Sequence, residues 1–269
     1  MILDAILAHK RHEVDERKQR RPLSQLEAEL VERSAPPRPF ASALRAANGV
    51  SIIAEIKRKS PSGGELRPSV SAAELAALYA ANGAAALSVL TDYHYFGGQD
   101  SDLVVARESS GLPALRKDFV VDEYQLYEAR CLGADAVLLI VRALTAFDLK
   151  HLLGISESLG MDALVETHSA DEVARALDAG AHVIGVNNRD LDTLVTDASL
   201  ALRLRSLVPP ECVYVAESGV SSAAQILELA SIAAHAVLIG ESLVRAEDPA
   251  AKLHELAAAG RTAPAVSRQ

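Results

Sequence analysis

The sequence contains no tryptophan, only two cysteines and two methionines, and aromatic residues make up 4% of its 269 positions. Any core must therefore be built mainly from Ala, Leu, Val and Ile. Cys131 and Cys212 lie far apart in apolar contexts. That excludes a disulfide framework, and both read as reduced core residues. The histidines show no HExxH or paired-ligand spacing, so no metal site is expected. An excess of positive charge is also missing: the net charge is −9. This argues against nucleic acid or a membrane surface as partner. An anionic ligand must then be held by local cations and not by the overall field. No apolar run approaches the roughly 20 residues that span a bilayer. Met1 to Leu7 is apolar, but Asp4 interrupts it and Lys10, Arg11 and Asp15 follow. It reads as the start of an amphipathic helix and not as a signal peptide, which leads to a cytoplasmic expectation.

What is present is 49% hydrophobic content, enough for one large domain or two small ones. Lysine is scarce beside arginine, 7 against 20. Lysine can lose its proton when buried, whereas arginine stays charged. Three of the lysines, Lys57, Lys59 and Lys117, fall close to predicted strand ends. Codon bias accounts for the excess of arginine but not for where the lysines fall.

Residues 1–47 carry a helical stripe (Ile2, Leu3, Ile6, Leu7, Val14), a second helical stretch over Leu23–Glu32, and a break at SAPPRP. They read as an N-terminal helical extension packed on the main domain. From residue 48 to 260 a rhythm of short apolar runs alternates with helical patterns. The runs are Val50–Ile56, Ala86–Leu90, Ala114–Leu115, Ala136–Val141, Ala163–Val165, Val183–Val186, Val213–Ala216 and Ala236–Ile239. Several helical patterns end in Gly-Ala, a helix stop. Runs without alternation suit strands covered on both faces. Eight such βα units fit a (β/α)8 barrel. A doubly wound sheet would call for GxGxxG after the first strand, and none is there. The polar tail 261–269 reads as disordered.

Active sites of such barrels lie at the C-terminal ends of the strands. Here the ends read EIKRKS, TDYHYFGG, LRKDF, LLIVRA, LVETH, GVNNRD, VAESGV and LIGESL. A lone charge just past a strand is usually a solvated loop residue. Five ionisable groups at one rim (Glu55, Lys57, Lys117, Glu166, Glu217) are another matter, because buried charges must be paired or functional. Leu115 and Lys117 share a strand face, as do Leu164 and Glu166, and Val215 and Glu217. If the apolar partners point into the barrel, so do the charges. Opposed carboxylates and ammoniums shift each other's pKa values, so an acid and a base can coexist near neutral pH. The loops after strands seven and eight, Glu217-Ser218-Gly219-Val220 and Ile239-Gly240-Glu241-Ser242, suit phosphate. Either glycine alone could be an ordinary turn residue. Ser60 and Gly63 would complete that pocket.

Taken in order, IAEIKRKSPSGG, LRKDF, LLIVRAL, LVETH, IGVNNRDL, VAESGV and LIGESL resemble the motifs of the indole-3-glycerol-phosphate synthase family, from LDAILAHKRHEV to about Asp248. That resemblance implies closure of the indole ring of 1-(2-carboxyphenylamino)-1-deoxyribulose 5-phosphate, with loss of CO2 and water and without a cofactor. It makes Lys117 the general acid at the carbonyl oxygen. Lys57 would bind the substrate carboxylate and donate a proton in dehydration. Glu55 and Glu166 would act as base and charge stabiliser, while Asn187, Arg189 and Glu217 order the site. Ser60, Gly219, Gly240 and Glu241 would hold phosphate, with Ser218 lining the same site. Phe96 and Leu138 would wall the aromatic ring. Glu241 departs from the serine often found there; its carboxylate should turn away and leave only its backbone N–H. Asn188 receives no role. The expected partner is a small phosphosugar, and the chain, too short for a second fused barrel, is taken as monofunctional; a monomer is compatible with the sequence, which does not fix the oligomeric state.

Two rival classes remain at this level. A sugar-phosphate isomerase or Schiff-base aldolase would share the barrel; the aldolase would trap a lysine on borohydride reduction. A silent phosphometabolite binder would show affinity without turnover, and it leaves both rim lysines unexplained.

Overall fold

The computed structural model describes residues 2–32, 35–45, 49–60, 64–65 and 70–262. Eight strands form one closed parallel barrel. They are β1 (Ser51–Ile56), β2 (Ala86–Leu90), β3 (Ala114–Lys117), β4 (Ala136–Ile140), β5 (Asp162–Thr167), β6 (Val183–Asn187), β7 (Val213–Glu217) and β8 (Ala236–Ile239). Each pairs with its sequence neighbour, and β1 closes the ring against both β2 and β8. All eight predicted strands are present. Four end later than the apolar runs do, because Lys117, Glu166–Thr167, Asn187 and Glu217 belong to the strands.

The reason lies in the two faces of each strand. Ile53, Leu115, Leu164 and Val215 point into the barrel and are fully buried there. Each contributes about 2 kcal/mol by burial. Ala54, Val165 and Ala216 point outward, under the helices. Side chains two residues on share a face. So the residues above that apolar ring are Glu55, Lys117, Glu166 and Glu217, one from each odd-numbered strand. Barrel interiors fill in layers of four contributed by alternate strands. Here the uppermost odd-strand layer is ionic.

Among the described residues, three helices precede the barrel: α1 (Ile2–Arg20), α2 (Leu23–Glu32) and α3 (Phe40–Arg45). The first two match the sequence expectation; α3 is additional. Phe40 and Leu44 of α3 are fully buried in the barrel's interior cluster, and Leu44 accepts a hydrogen bond from Ser51 Oγ at the start of β1 (3.0 Å). That places α3 at the N-terminal end of the barrel. α1 lies at the opposite end, where Leu3 and Ile6 line the cavity at the strand C-termini. Its anchor is Lys10, 1% exposed, with Nζ 3.0 Å from each of Asp92, Asp118 and Glu13. Arg17 extends this clamp to Asp100 and Glu128, both of which also pair with the buried Arg116.

Cys131 and Cys212 are buried and not joined in a disulfide. The last helix, Pro249–Thr262, runs two residues into the segment expected to be disordered. Residues 263–269 lie outside the described residues, as does Gly63.

Candidate active site

A cavity of about 400 Å³ opens where the strands end. Its floor is the ionic layer. Lys117 Nζ lies between two carboxylates, 3.1 Å from Glu166 Oε2 and 2.5 Å from Glu217 Oε2. Glu55 Oε1 meets Lys57 Nζ at 2.7 Å. Each ammonium is almost out of solvent, with 10% of the Lys57 side chain exposed and 12% of Lys117. That remnant faces the cavity, which both line.

The charges perturb one another. Burial works against the Lys117 ammonium, yet Glu217, Glu166 and Glu55 outweigh it and raise its pKa. Glu166 would be pushed up by burial, but Lys117, His168 and Asn187 hold it down. Glu217 has fewer compensating partners. Burial and the neighbouring Glu166 push it up to about 7, although Lys117 opposes the shift. Two carboxylates sharing one ammonium thus separate into an ionised member and one that keeps a proton near neutrality.

Two glycines make this layer possible. A Cβ on Gly185 of β6 would sit 2.2 Å from Glu217 Oε1, and one on Gly240 would sit 2.2 Å from Glu55 Oε1 and 3.0 Å from Lys57 Nζ. Gly240, expected only as a phosphate-loop glycine, is therefore also the space into which the Glu55 carboxylate fits. Gly185 received no role from the sequence. Its signal was a glycine inside an otherwise unbroken apolar strand, which marks a close approach.

Beyond the floor, the expected wall residues Phe96 and Leu138 line the cavity, and Phe96 packs on Phe119 with ring centroids 6.0 Å apart. On the far side Ser218 and Gly219 are both left-handed, at φ 62° and 80°. Serine rarely adopts that conformation, so the β7 loop is held in a strained turn. Asn188 fixes it by donating from Nδ2 to the Ser218 carbonyl (3.0 Å) while its Oδ1 accepts from the Ala201 N–H (2.9 Å). Ser242 Oγ donates to the Val220 carbonyl (3.0 Å) and joins the loops after β7 and β8. Asn187 Oδ1 accepts the Arg189 N–H (3.0 Å). Arg189 Nη2 reaches Glu241 Oε2 at 3.0 Å, and Glu241 Oε1 takes Arg245 Nε at 3.0 Å. The Glu241 carboxylate is thus engaged by two arginines, and Glu241 still borders the cavity.

The expected catalytic, ring-wall and phosphate residues other than Ser60 all line this mouth. The Ser60 backbone, with Lys59, pairs with Gly64–Glu65, and its side chain lies outside the described residues. Among the buried charged groups left unassigned by sequence are Lys10, lost in a charged helix face, and His168, one residue beyond β5.

Comparison with known proteins agrees with this geometry. The family model described as indole-3-glycerol phosphate synthase matches residues 3–256. A protein of that name from Dehalococcoides mccartyi (strain BAV1) is 45% identical over 259 residues, covering 95% of this chain and 100% of the relative. Those from Acidithiobacillus ferrooxidans (46%, 95% and 98% covered) and Kineococcus radiotolerans (48%, 96% and 96%) are similar. Among solved structures, 3-hexulose-6-phosphate synthase from Salmonella typhimurium superposes with a TM-score of 0.61 at 12% identity, covering 78% of this chain and 98% of that one. Thiamine phosphate pyrophosphorylase from Pyrococcus furiosus gives 0.59 at 15% identity, covering 79% and 96%. At such low identity these two speak for the barrel alone. The ionic layer, the paired glycine loops and a family match over nearly the whole chain lead to one assignment: this chain belongs to the indole-3-glycerol phosphate synthase family.

Proposed function

We propose that the ionic layer closes an indole ring, with Lys117 as the acid of the first step and the Glu55–Lys57 pair lining the same cavity. The activity is that of the family, formation of indole-3-glycerol phosphate in tryptophan biosynthesis. The substrate is 1-(2-carboxyphenylamino)-1-deoxyribulose 5-phosphate. Its ring carbon bearing the carboxylate attacks the sugar carbonyl. Electrons move onto the carbonyl oxygen, and Lys117 delivers a proton there. An alkoxide is more basic than any lysine, so the raised pKa of Lys117 does not block this transfer; it ensures that the proton is present. CO2 then leaves with its bonding electrons returning to the ring. Finally the hydroxyl leaves as water with a proton from Lys57, while a carboxylate, Glu55 or Glu166, takes a proton from the carbon beside nitrogen.

The observation that carries this assignment is the place of Lys117 between Glu166 and Glu217, in one apolar-walled cavity with the Glu55–Lys57 pair. Phe96 and Leu138 would flank the anilino ring. Arg189 and Asn187 would order the substrate beside Glu217. The backbone N–H groups of Gly219, Gly240 and Glu241, with Ser218 and Ser60, would take the phosphate. Here Arg189 must exchange Glu241 for substrate or hold both.

The test is turnover of the carboxyphenylamino substrate, followed by the rise of indole fluorescence. Folded protein that gives no signal would refute the assignment. Borohydride with substrate should leave every lysine unmodified, and a trapped lysine would favour the aldolase class instead.

A further inference from the structure

His168 stands directly behind Glu166. It is the first residue after β5, its side chain is 2% exposed, and its Nε2 lies 3.4 Å from Glu166 Oε1. On its other side Nδ1 lies 3.3 Å from Glu172 Oε2. Glu172 is held in place from three directions. Its backbone N–H donates to Ser169 Oγ (3.2 Å), its Oε2 accepts the His168 backbone N–H (2.8 Å), and its Oε1 accepts Arg142 Nε (3.2 Å). Arg142 continues to Asp190 Oδ2 at 3.1 Å. A chain of alternating charge therefore runs from the loop after β6 inward: Asp190, Arg142, Glu172, His168, Glu166, Lys117, Glu217.

Glu166 Oε1 and His168 Nε2 are both buried, and neither makes a hydrogen bond among the described residues; their 3.4 Å contact is one of charge. They face each other. An imidazole between two carboxylates can satisfy both only as imidazolium, donating from both nitrogens. A neutral ring has one N–H and leaves one carboxylate oxygen facing a lone pair.

We propose that His168 is a positioning residue for Glu166: held as a cation between Glu172 and Glu166, it fixes the Glu166 carboxylate and keeps it ionised beside Lys117. Charge counting shows what this changes. Without His168, the charge on Glu166 depends on Lys117. With it, Glu166 has a cation beside each oxygen and keeps its charge even after Lys117 has given its proton to substrate. The groups facing the imidazole are Glu166 from β5, Glu172 from the helix Ala170–Asp178, and Arg142 from the loop after β4. Burial lowers the imidazole pKa and Arg142 also opposes the charge. The two glutamates outweigh both and raise it.

The inference rests on the role given to Glu166 above, and two measurements separate the two. The first is imidazole NMR of ¹⁵N-labelled protein, in which the His168 signal is assigned by its loss in His168→Gln. His168 should remain doubly protonated above neutral pH. Glu172→Gln keeps the acceptor for the backbone N–H but removes the charge, so it should lower the His168 titration. A neutral imidazole at neutral pH overturns the proposal, whatever Glu166 does. The second is the pH profile of kcat/KM. In His168→Gln, kcat should fall about tenfold with KM little changed, and the acid limb should move up by about one unit as Glu166 loses a cationic neighbour. His168→Asn should move it in the same direction, which covers the case in which His168→Gln does not fold. A variant with lowered melting temperature but an unshifted limb shows a merely structural histidine and overturns the proposal. If Glu166→Gln alone leaves turnover intact while His168 is a cation, the role of Glu166 fails and the charge assignment stands.

Discussion

Gly185→Ala is the smallest change that tests how tightly the ionic layer is built. The backbone at Gly185 is not left-handed, so alanine suits its conformation and the added methyl acts through space alone. That methyl would start 2.2 Å from Glu217 Oε1 and 3.1 Å from Leu164 Cδ1, where ordinary contact begins at 3.4 Å. Leu164 is fully buried and has little room to give. The carboxylate of Glu217 must therefore retreat by about 1 Å, a displacement that can cost about 10²-fold in rate when it moves a catalytic group. Lys117 would follow Glu217 or lose it. Overpacking of this kind costs about 1–3 kcal/mol of stability, so a folded variant is expected. The assay is the initial rate of indole fluorescence beside a melting curve. We expect kcat to drop by about 10²-fold in a protein that still melts cooperatively. A folded Gly185→Ala with near-normal kcat would show that Glu217 need not sit where it does.

Four further outcomes follow from the same geometry. Gly240→Ala pushes on Glu55 and Lys57 together and should impair turnover at least as much, with rate and melting measured alike. Glu217→Gln should be more stable than the parent above pH about 7, because the native carboxyl sits near 7 against an ordinary 4.5 and its ionisation opposes folding there; below 4.5, where both forms are neutral, thermal melts should converge. Lys10→Met leaves Asp92 and Asp118 buried without their ammonium and should cost about 3–5 kcal/mol in urea unfolding. Asp118 is held at about 2 against an ordinary 3.8, chiefly by Lys10 and Arg116 against burial. Its contribution is complete above 3.8 and is lost as pH falls towards 2, so Lys10→Met should also unfold at higher pH in acid titration. Glu241→Gln loosens the grip on Arg189 and should strengthen binding of inorganic phosphate by a few fold in calorimetry.

The barrel was legible because its strands are apolar on both faces and its helices end in Gly-Ala. The strand ends were not. A run of hydrophobic residues stops at the first charge, whereas β3, β5, β6 and β7 carry Lys117, Glu166, Asn187 and Glu217 inside the barrel. The alternation Leu115–Lys117, Leu164–Glu166, Val215–Glu217 did reveal which way these charges point. Gly185 and His168 escaped for a different reason: the glycine inside an apolar strand signals a close approach without naming Glu217 as what approaches, and a histidine just past a strand does not show that it is buried between two carboxylates. Lys10 was hidden by its helix, since a lysine flanked by histidine and arginine looks like a solvated face until Asp92 and Asp118 close around it.

Lys117 carries the central claim, so the decisive measurement is Lys117→Ala examined for turnover and for binding of a phosphate-bearing product analogue in the same preparation. The expected result is loss of most of kcat with the analogue still bound. Near-normal turnover in a folded Lys117→Ala protein would remove Lys117 from the acid role and contradict the mechanism.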